Sequence, residues 1–275
     1  MTSNRVALIT GASRGIGKAI TLALAESGLD VVINFASQHE AAAQVQKEAL
    51  RFGVRAELLQ ADISQTAGHV SVRVAGEDAF WATPFEYFDE TLPDHVIKVS
   101  FDLELLEGNW FASPALAFHA MTYRVRSDVN SVVHHHGHYT SVISGAGRPV
   151  GQHNLVATLF WQDQALAFDS SNESSVNDEG LVAALGDKNV VLIHNHGCLV
   201  VGPTLEIATI KAILLEKAAR YDVDAQIVGG KESDIPERLE SLKFNLEKYM
   251  LPEMWAAHFR RLRRSDPELF DCLTS

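Results

Sequence analysis

Eight of the 12 histidines fall between His119 and His196, and that density is where chemistry is to be sought. Val132-Val133-His134-His135-His136 carries a β-branched run into three imidazoles. Residues two apart on a strand share a face, so His134 and His136 converge. A second apolar run, Asn189 to Ile193, ends in another such pair, His194-Asn195-His196, and Gly197 lets the backbone pass close to whatever the imidazoles bind. Three imidazoles from two such strands can surround one divalent ion. With an open coordination position, that ion acts as a Lewis acid on a carbonyl oxygen, and both zinc and ferrous iron suit such a site.

A second chemical signal lies at the N-terminus. Val6 to Thr10 is a short apolar strand, Gly11 to Gly17 a glycine turn, and Ala19, Leu22, Ala23 and Leu24 give the next stretch helical periodicity. A strand over Leu29 to Asn34, a helix over His39 to Phe52 and a strand over Ala56 to Ile63 complete a βαβαβ unit. Such a turn brings backbone N–H groups and a helix N-terminus up to a pyrophosphate. The spelling Thr10-Gly11-Ala12-Ser13-Arg14-Gly15-Ile16-Gly17, with Asn34 and then Ala61-Asp62 ending the next strands, resembles the short-chain dehydrogenase/reductase family over residues 4–64. The resemblance implies cofactor contacts at Gly11, Ser13, Arg14, Gly15, Gly17 and Asp62. It also implies NADP(H) in preference to NAD(H), because Arg14 meets a 2′-phosphate and no acidic residue ends the second strand. The resemblance then stops: none of Tyr87, Tyr123, Tyr139, Tyr221 and Tyr249 has a lysine four positions later, as that family's catalytic pair requires. The unit is therefore read as a vestigial half of a dinucleotide fold, and NADP(H) binding is not expected.

The elements that must position the histidines begin after a seam at Ser64 to Gly68, which suggests domains at 1–65 and 66–275. Strands are expected at His69 to Val74, Ala79 to Thr83, His95 to Phe101, Ser131 to His136, Leu155 to Phe160 and Asn189 to His194. Helices are expected at Pro114 to Arg126, Glu179 to Leu185, Thr204 to Asp222, Asp234 to Lys248 and Pro252 to Arg264.

Composition limits the partners. The chain has 275 residues, 47% of them hydrophobic, and 23 Lys+Arg against 35 Asp+Glu give a formal charge of -12. That balance disfavours a phosphate-tracking surface for nucleic acid and favours a small molecule. No apolar run approaches the roughly 18 to 20 residues that span a bilayer, so no membrane partner is expected. Cys198 and Cys272 are too few for a disulfide scaffold, which points to the cytoplasm.

Three stretches together, Gly68-His-Val-Ser-Val-Arg73, Arg126 to His136 and Val191 to Gly202, resemble the class II aldolase/adducin family over residues 66–225. The resemblance implies an α/β fold, an α/β/α domain around a mainly antiparallel sheet, preceded here by the half-Rossmann segment. It implies His134, His136 and His196 as ligands of a divalent metal, with Zn2+ expected first and Fe2+ or Mn2+ as alternatives. His135 is expected on the other side of its strand. The family's sugar-phosphate aldolases carry an acid/base carboxylate where this chain has Ala112-Ser113-Pro114-Ala115. Their phosphate-cradling pairs are replaced by Gly68-His69, by Thr83 before Pro84-Phe85, and by Ser113 alone. His119, one helical turn after Ala115, and Tyr139 remain as proton carriers. Trp81, Phe85, Trp110, Phe111, Phe118 and Tyr139 suggest an aromatic-lined site. Glu173 and Asp178 read as solvated loop residues, and Arg260, Arg261, Arg263 and Arg264 as a solvated helix face.

The expectation is a metal-dependent lyase that cleaves or decarboxylates a small carbonyl substrate through a metal-stabilised enediolate, and not a standard sugar-phosphate aldolase. The alternatives are a non-haem iron oxygenase acting on an aromatic 2-oxo acid at the same three histidines, and a nonenzymatic adducin-like module. The resemblance also implies a homo-oligomer, a tetramer in the sugar-phosphate aldolases.

Overall fold

The computed structural model of the chain describes residues 6–9, 12–13, 15–35, 39–60, 68–86, 88, 91–168, 178–265, 267 and 270. It divides into two units, Met1–Ser64 and Gln65–Ser275.

In the first unit β1 (Val6–Ile9), α1 (Gly15–Glu26), β2 (Asp30–Phe35), α2 (His39–Leu50) and β3 (Ala56–Gln60) alternate, and the three strands form a parallel sheet in the order β1-β2-β3. This is the βαβαβ arrangement the periodicity demands. Small and β-branched residues (Ala25, Val31, Ile33, Ala42, Val45, Ala49) make its core, which lets helix and sheet approach closely. Gly15 opens α1 at φ +56°, a left-handed conformation that favours glycine. Ser13 is half-buried, and Gly17 accepts from the Thr21 hydroxyl at 2.9 Å. Gly11, Arg14 and Asp62 lie outside the described residues.

The second unit is built on an eight-stranded sheet. Its strands are β4 (His69–Arg73), β5 (Ala79–Ala82), β6 (Ile97–Ser100), β7 (Leu105–Glu107), β8 (Ser131–His135), β9 (Gln164–Ala167), β10 (Val190–Ile193) and β11 (Gly197–Gly202). They run in the order β7-β6-β5-β4-β8-β11-β10-β9, antiparallel except for the β9–β10 pair. The helices are α3 (Leu116–Val125), α4 (His138–Gly145), α5 (Asp178–Leu185), α6 (Leu205–Ile227), α7 (Pro236–Asn245) and α8 (Leu251–Ser265).

Alternation along β8 and β11 assigns the two faces. Val133, Cys198 and Val200 pack with Ile143 of α4 and Leu215 of α6, while Val132, Leu199 and Val201 pack with Leu116 and Tyr123 of α3 and Leu181 of α5. The result is an α/β/α domain with β8 near the middle of its sheet. Arg73 ends β4 by donating to the carbonyls of Tyr123, at 2.6 Å, and Arg126, at 3.0 Å, which ties α3 to the sheet. Among the described residues no helix is long and apolar enough to cross a membrane.

Several expected elements differ. Leu155 to Phe160 is a 3-10 turn over Val156–Phe160: the Asn154 side chain accepts from Ala157 N at 3.0 Å, and four consecutive buried residues leave no strand alternation. His95 belongs to a 3-10 turn, Pro93–His95, ahead of β6. Asp178 is the first residue of α5, and Glu173 lies outside the described residues. The expected Asp234 to Lys248 helix passes through a π-turn at Leu246–Met250 directly into α8. Pro252 has no N–H to offer the Lys248 carbonyl, and its ring crowds that carbonyl, so the ladder loosens there.

Candidate metal centre

His134 is the fourth residue of β8, completely enclosed by its neighbours, and its Nδ1 lies 2.9 Å from the Cys198 carbonyl on β11. A carbonyl only accepts, so Nδ1 carries the proton and Nε2 is left with its lone pair free. That Nε2 is 3.1 Å from Nε2 of His136, two residues on and on the same face. His196, at the β10–β11 turn, brings its ring centroid to 5.2 Å from His134 and 4.9 Å from His136. One ligand atom from each of the three lies within 4.8 Å of the others. Two imidazole nitrogens about 2.0 to 2.1 Å from one tetrahedral ion are separated by roughly 3.3 Å, so the His134–His136 pair matches the spacing that one such ion requires. Burial first, and the neighbouring imidazoles second, hold His134 well below its ordinary pKa, which keeps it in the neutral form that ligates.

Two tight approaches hold this geometry. A Cβ on Gly197 would stand 2.5 Å from the His135 carbonyl and 2.9 Å from the His136 ring, so only glycine lets β11 start beside His136. A Cβ on Gly137 would collide with the Glu216 carboxylate. That carboxylate, from α6, accepts from Tyr139 N at 2.8 Å, Thr140 N at 2.9 Å and Thr140 Oγ1 at 3.0 Å. These amides belong to the first turn of α4, which has no local side-chain cap, so Glu216 caps the helix from across the fold.

His135 turns to the opposite face, where its Nε2 lies 3.1 Å from Cys198 Sγ and its Nδ1 accepts from Gly137 N at 3.1 Å. Burial pulls its pKa down to about 4. Cys198 is a buried thiol whose pKa burial pushes up, so it is not poised as a nucleophile. His138 opens α4, and His194 packs on Phe168 with a ring separation of 5.2 Å.

His119 is fully buried, with Nδ1 2.7 Å from Ser71 Oγ, which is itself 2.7 Å from the Tyr123 hydroxyl. Its Nε2 finds no partner among the described residues. Tyr139 instead lays its ring against His138, at 4.9 Å, with the Arg220 guanidinium 5.9 Å from its centre. Of the six aromatics, Phe118 stands edge-on to His134 at 5.0 Å, and Phe85 reaches the His69 ring and Phe111. Trp110 meets His95 at 3.9 Å with the rings tilted by 31°, and Trp81 lies under the Lys98 ammonium at 5.8 Å.

The sequence placed His69 only in the Gly68-His69 pair at the family's phosphate cradle and gave no partner for it. In the β4–β8 register it stands directly opposite His134, and the two rings lie parallel within 10° at 6.1 Å. Glu216 was missed; a glutamate on a long helix carries no signal that its carboxylate caps another.

A family model described as the class II aldolase and adducin N-terminal domain matches residues 60–223, and a short chain dehydrogenase model matches residues 5–75. A meiotically up-regulated gene 14 protein of Schizosaccharomyces pombe is 29% identical over 191 residues, covering 66% of this chain and 74% of that one. A 5-deoxy-D-ribulose 1-phosphate aldolase of Bacillus thuringiensis is 26% identical over 67% of this chain and 87% of its own length. A 4-hydroxy-3-prenylphenylpyruvate oxygenase/4-hydroxy-3-prenylbenzoate synthase of Streptomyces roseochromogenus is 29% identical over 56% of this chain and 58% of its own length. Among solved structures, an aldolase II superfamily protein from Pseudomonas syringae superposes with a TM-score of 0.66 at 24% identity, covering 74% of this chain and 86% of that one.

Proposed function

We propose that this chain, which belongs to the class II aldolase and adducin family, is a metal-dependent lyase acting on a small carbonyl substrate at His134, His136 and His196. The observation that carries the reading is the 3.1 Å separation of two imidazole nitrogens, one with its tautomer set by the Cys198 carbonyl. A divalent ion held there, zinc first, supplies Lewis acidity to a substrate carbonyl oxygen. The protein's own part is positional. Glu216 and Gly137 fix the turn after His136, Gly197 fixes the start of β11, and buried Phe118 closes one side of His134 to water.

Ala115 sits among apolar neighbours at the start of α3, and the Ser113 hydroxyl accepts from the Ala115 amide at 3.2 Å. The segment that carries the acid/base carboxylate in sugar-phosphate aldolases therefore offers no proton carrier here. Among the described residues, the unpartnered buried nitrogens left to hold a proton on this face are His119 Nε2 and both ring nitrogens of His69. Loss of a positioned acid/base lowers rates by about 10² to 10⁴, so sugar-phosphate cleavage is expected to be slow and decarboxylation or another carbon–carbon cleavage to be favoured.

A second reading, ferrous-iron oxygenase chemistry at the same histidines, is supported by the Streptomyces relative's name and by the aromatic rings at Phe85, Phe111 and Phe118. The deciding experiment is elemental analysis of the purified protein and of His134→Ala, His136→Ala, His196→Ala and His135→Ala, followed by turnover with and without dioxygen. One ion per chain is expected, lost in the first three variants and kept in His135→Ala. An unchanged metal ratio across all four would sink the site. Turnover that stops without dioxygen would select the oxygenase.

A further inference from the structure

The eight-stranded sheet is covered unevenly. On one face Phe80, Ile97 and Val99 of β5 and β6 pack with Leu116 and Phe118 of α3. On the other face Val133, Leu192 and Val200 of β8, β10 and β11 pack with Ile143 of α4 and Leu215 of α6, whereas the β5–β6–β7 end stays open. Trp81, Lys98 and Glu107 stand side by side across that end in the strand register, and Trp81 is 38% exposed. An antiparallel sheet can face water with polar residues. Here, however, a tryptophan sits at the centre, and the edge strand β7 adds Leu105 and Leu106, both close to half exposed.

The same end is strongly acidic. Residues 74–114 hold nine carboxylates, no arginine and a single lysine, Lys98, whose ammonium is held by Glu77 at 2.9 Å and Glu107 at 3.3 Å.

The C-terminal helix has the complementary character. α8 repeats a stripe at Leu251, Trp255, His258 and Leu262. Leu251 is 1% exposed in the core beside Leu215 of α6, but the stripe outruns its cover: Leu262 is 43% exposed, and Phe259, which meets Phe270, is 39% exposed. Past Glu253 the helix carries Arg260, Arg261, Arg263 and Arg264 and no carboxylate. The aldolase family match ends at residue 223, so α8 lies outside it.

Within one chain both the last turns of α8 and the open sheet end are exposed, so the helix does not cover its own sheet. A second copy supplies the match. In a chain of net charge -12, a helix end with cations only is the part of a neighbour that an acidic face attracts, and its apolar stripe suits the exposed tryptophan.

We propose that α8 is an assembly helix: residues 259–264 of one copy dock on the open β5–β6–β7 face of another, with Phe259 and Leu262 laid against Trp81 and the arginines towards Glu104 and Glu107. The contact joins two different patches, so it closes as a reciprocal pair or as a ring.

The test is sedimentation velocity of the full-length chain over a range of concentrations, beside two charge reversals. One is Arg260→Glu with Arg264→Glu, one turn apart on α8; the other is Glu104→Arg with Glu107→Arg, which leaves Lys98 its Glu77 partner. Each should weaken association at least about tenfold, as expected for a few ion pairs turned repulsive. Trp81→Ala should weaken it as well. A chain carrying all four reversals, and an equimolar mixture of the two reversed chains, should regain most of the association, which misfolded variants would not do. A wild-type monomer at micromolar concentration, association indifferent to the reversals or to Trp81→Ala, or reversed chains that do not rescue each other would overturn the proposal. So would a wild-type monomer that sediments with phosphatidylserine vesicles, which would give the arginines to a membrane surface.

Discussion

Replacing Glu216 should loosen the turn that follows His136. The carboxylate accepts from two amides of the first turn of α4 and from the Thr140 hydroxyl. The hydroxyl has a second acceptor, the Gly137 carbonyl at 2.9 Å, so the cost of Glu216→Ala falls on the amides. A lost N-terminal cap costs about 0.5 to 2 kcal/mol, and a lost anion at a helix N-terminus about 0.3 to 1 kcal/mol. The expected destabilisation is therefore about 2 kcal/mol for Glu216→Ala. Glu216→Gln keeps one acceptor oxygen and should lose about 1 kcal/mol. The turn so released begins at Gly137, adjacent to His136, and outer contacts of this kind typically change metal affinity by about 10- to 100-fold. The lower end is expected, because the Glu216 bonds to the Tyr139 and Thr140 amides act on the turn after His136. Trp81, Trp110, Trp161 and Trp255, the only four tryptophans, all lie in the Gln65–Ser275 unit, so intrinsic fluorescence during urea unfolding reads that unit alone. Zinc affinity is read in parallel by competition with a chromophoric chelator. Stability that drops with zinc affinity unchanged would refute the reasoning, because it would mean the α4 turn does not position His136.

The remaining predictions concern protons, nucleotide and assembly. His69 and His135 have pKa values pulled to about 4 by burial, against 6.5 ordinarily, and burial lowers His119 and His134 in the same direction. The unfolded chain then binds more protons below pH 6.5, so the metal-free protein should hold full stability above that value and lose it as pH falls towards 4. The loss is about 1.4 kcal/mol per pH unit for each imidazole, measured by urea midpoints at several pH values; a flat profile would show that these rings are not buried neutral. NADPH should bind weakly or not at all, because β1 to β3 supply one mononucleotide half of a dinucleotide crevice, and saturable micromolar binding in a fluorescence titration would contradict this. The exposed rings of Phe244, Tyr249 and Phe259 call for burial against another copy, so light scattering should give a multiple of 30.1 kDa, and a stable monomer at micromolar concentration would count against it.

What the sequence discloses about this site follows from the range of the interactions that make it. The convergence of His134 with His136 needs only a β-branched strand and its period of two, both local, and it is legible. The pairing of His69 with His134 is a register between strands more than sixty residues apart, and alternation leaves register open, so the motif marked Gly68-His69 without showing that His69 stands opposite His134. β11 was hidden because all six of its residues are buried on both faces, which removes the alternation that marks a strand edge. α4 was hidden for a related reason: its cap comes from Glu216, 77 residues away, and no residue of its own supplies the start signal. The same division bears on chemistry. The ligating atoms sit on local motifs, but their spacing depends on the Cys198 carbonyl, the Glu216 carboxylate and the bare backbone of Gly197, all set by tertiary packing. A chain that kept the three histidines and lost Gly197 or Glu216 would still match the motif and would bind its ion poorly. For this fold, then, the histidines name a candidate centre, and the residues that hold their turns decide whether it works.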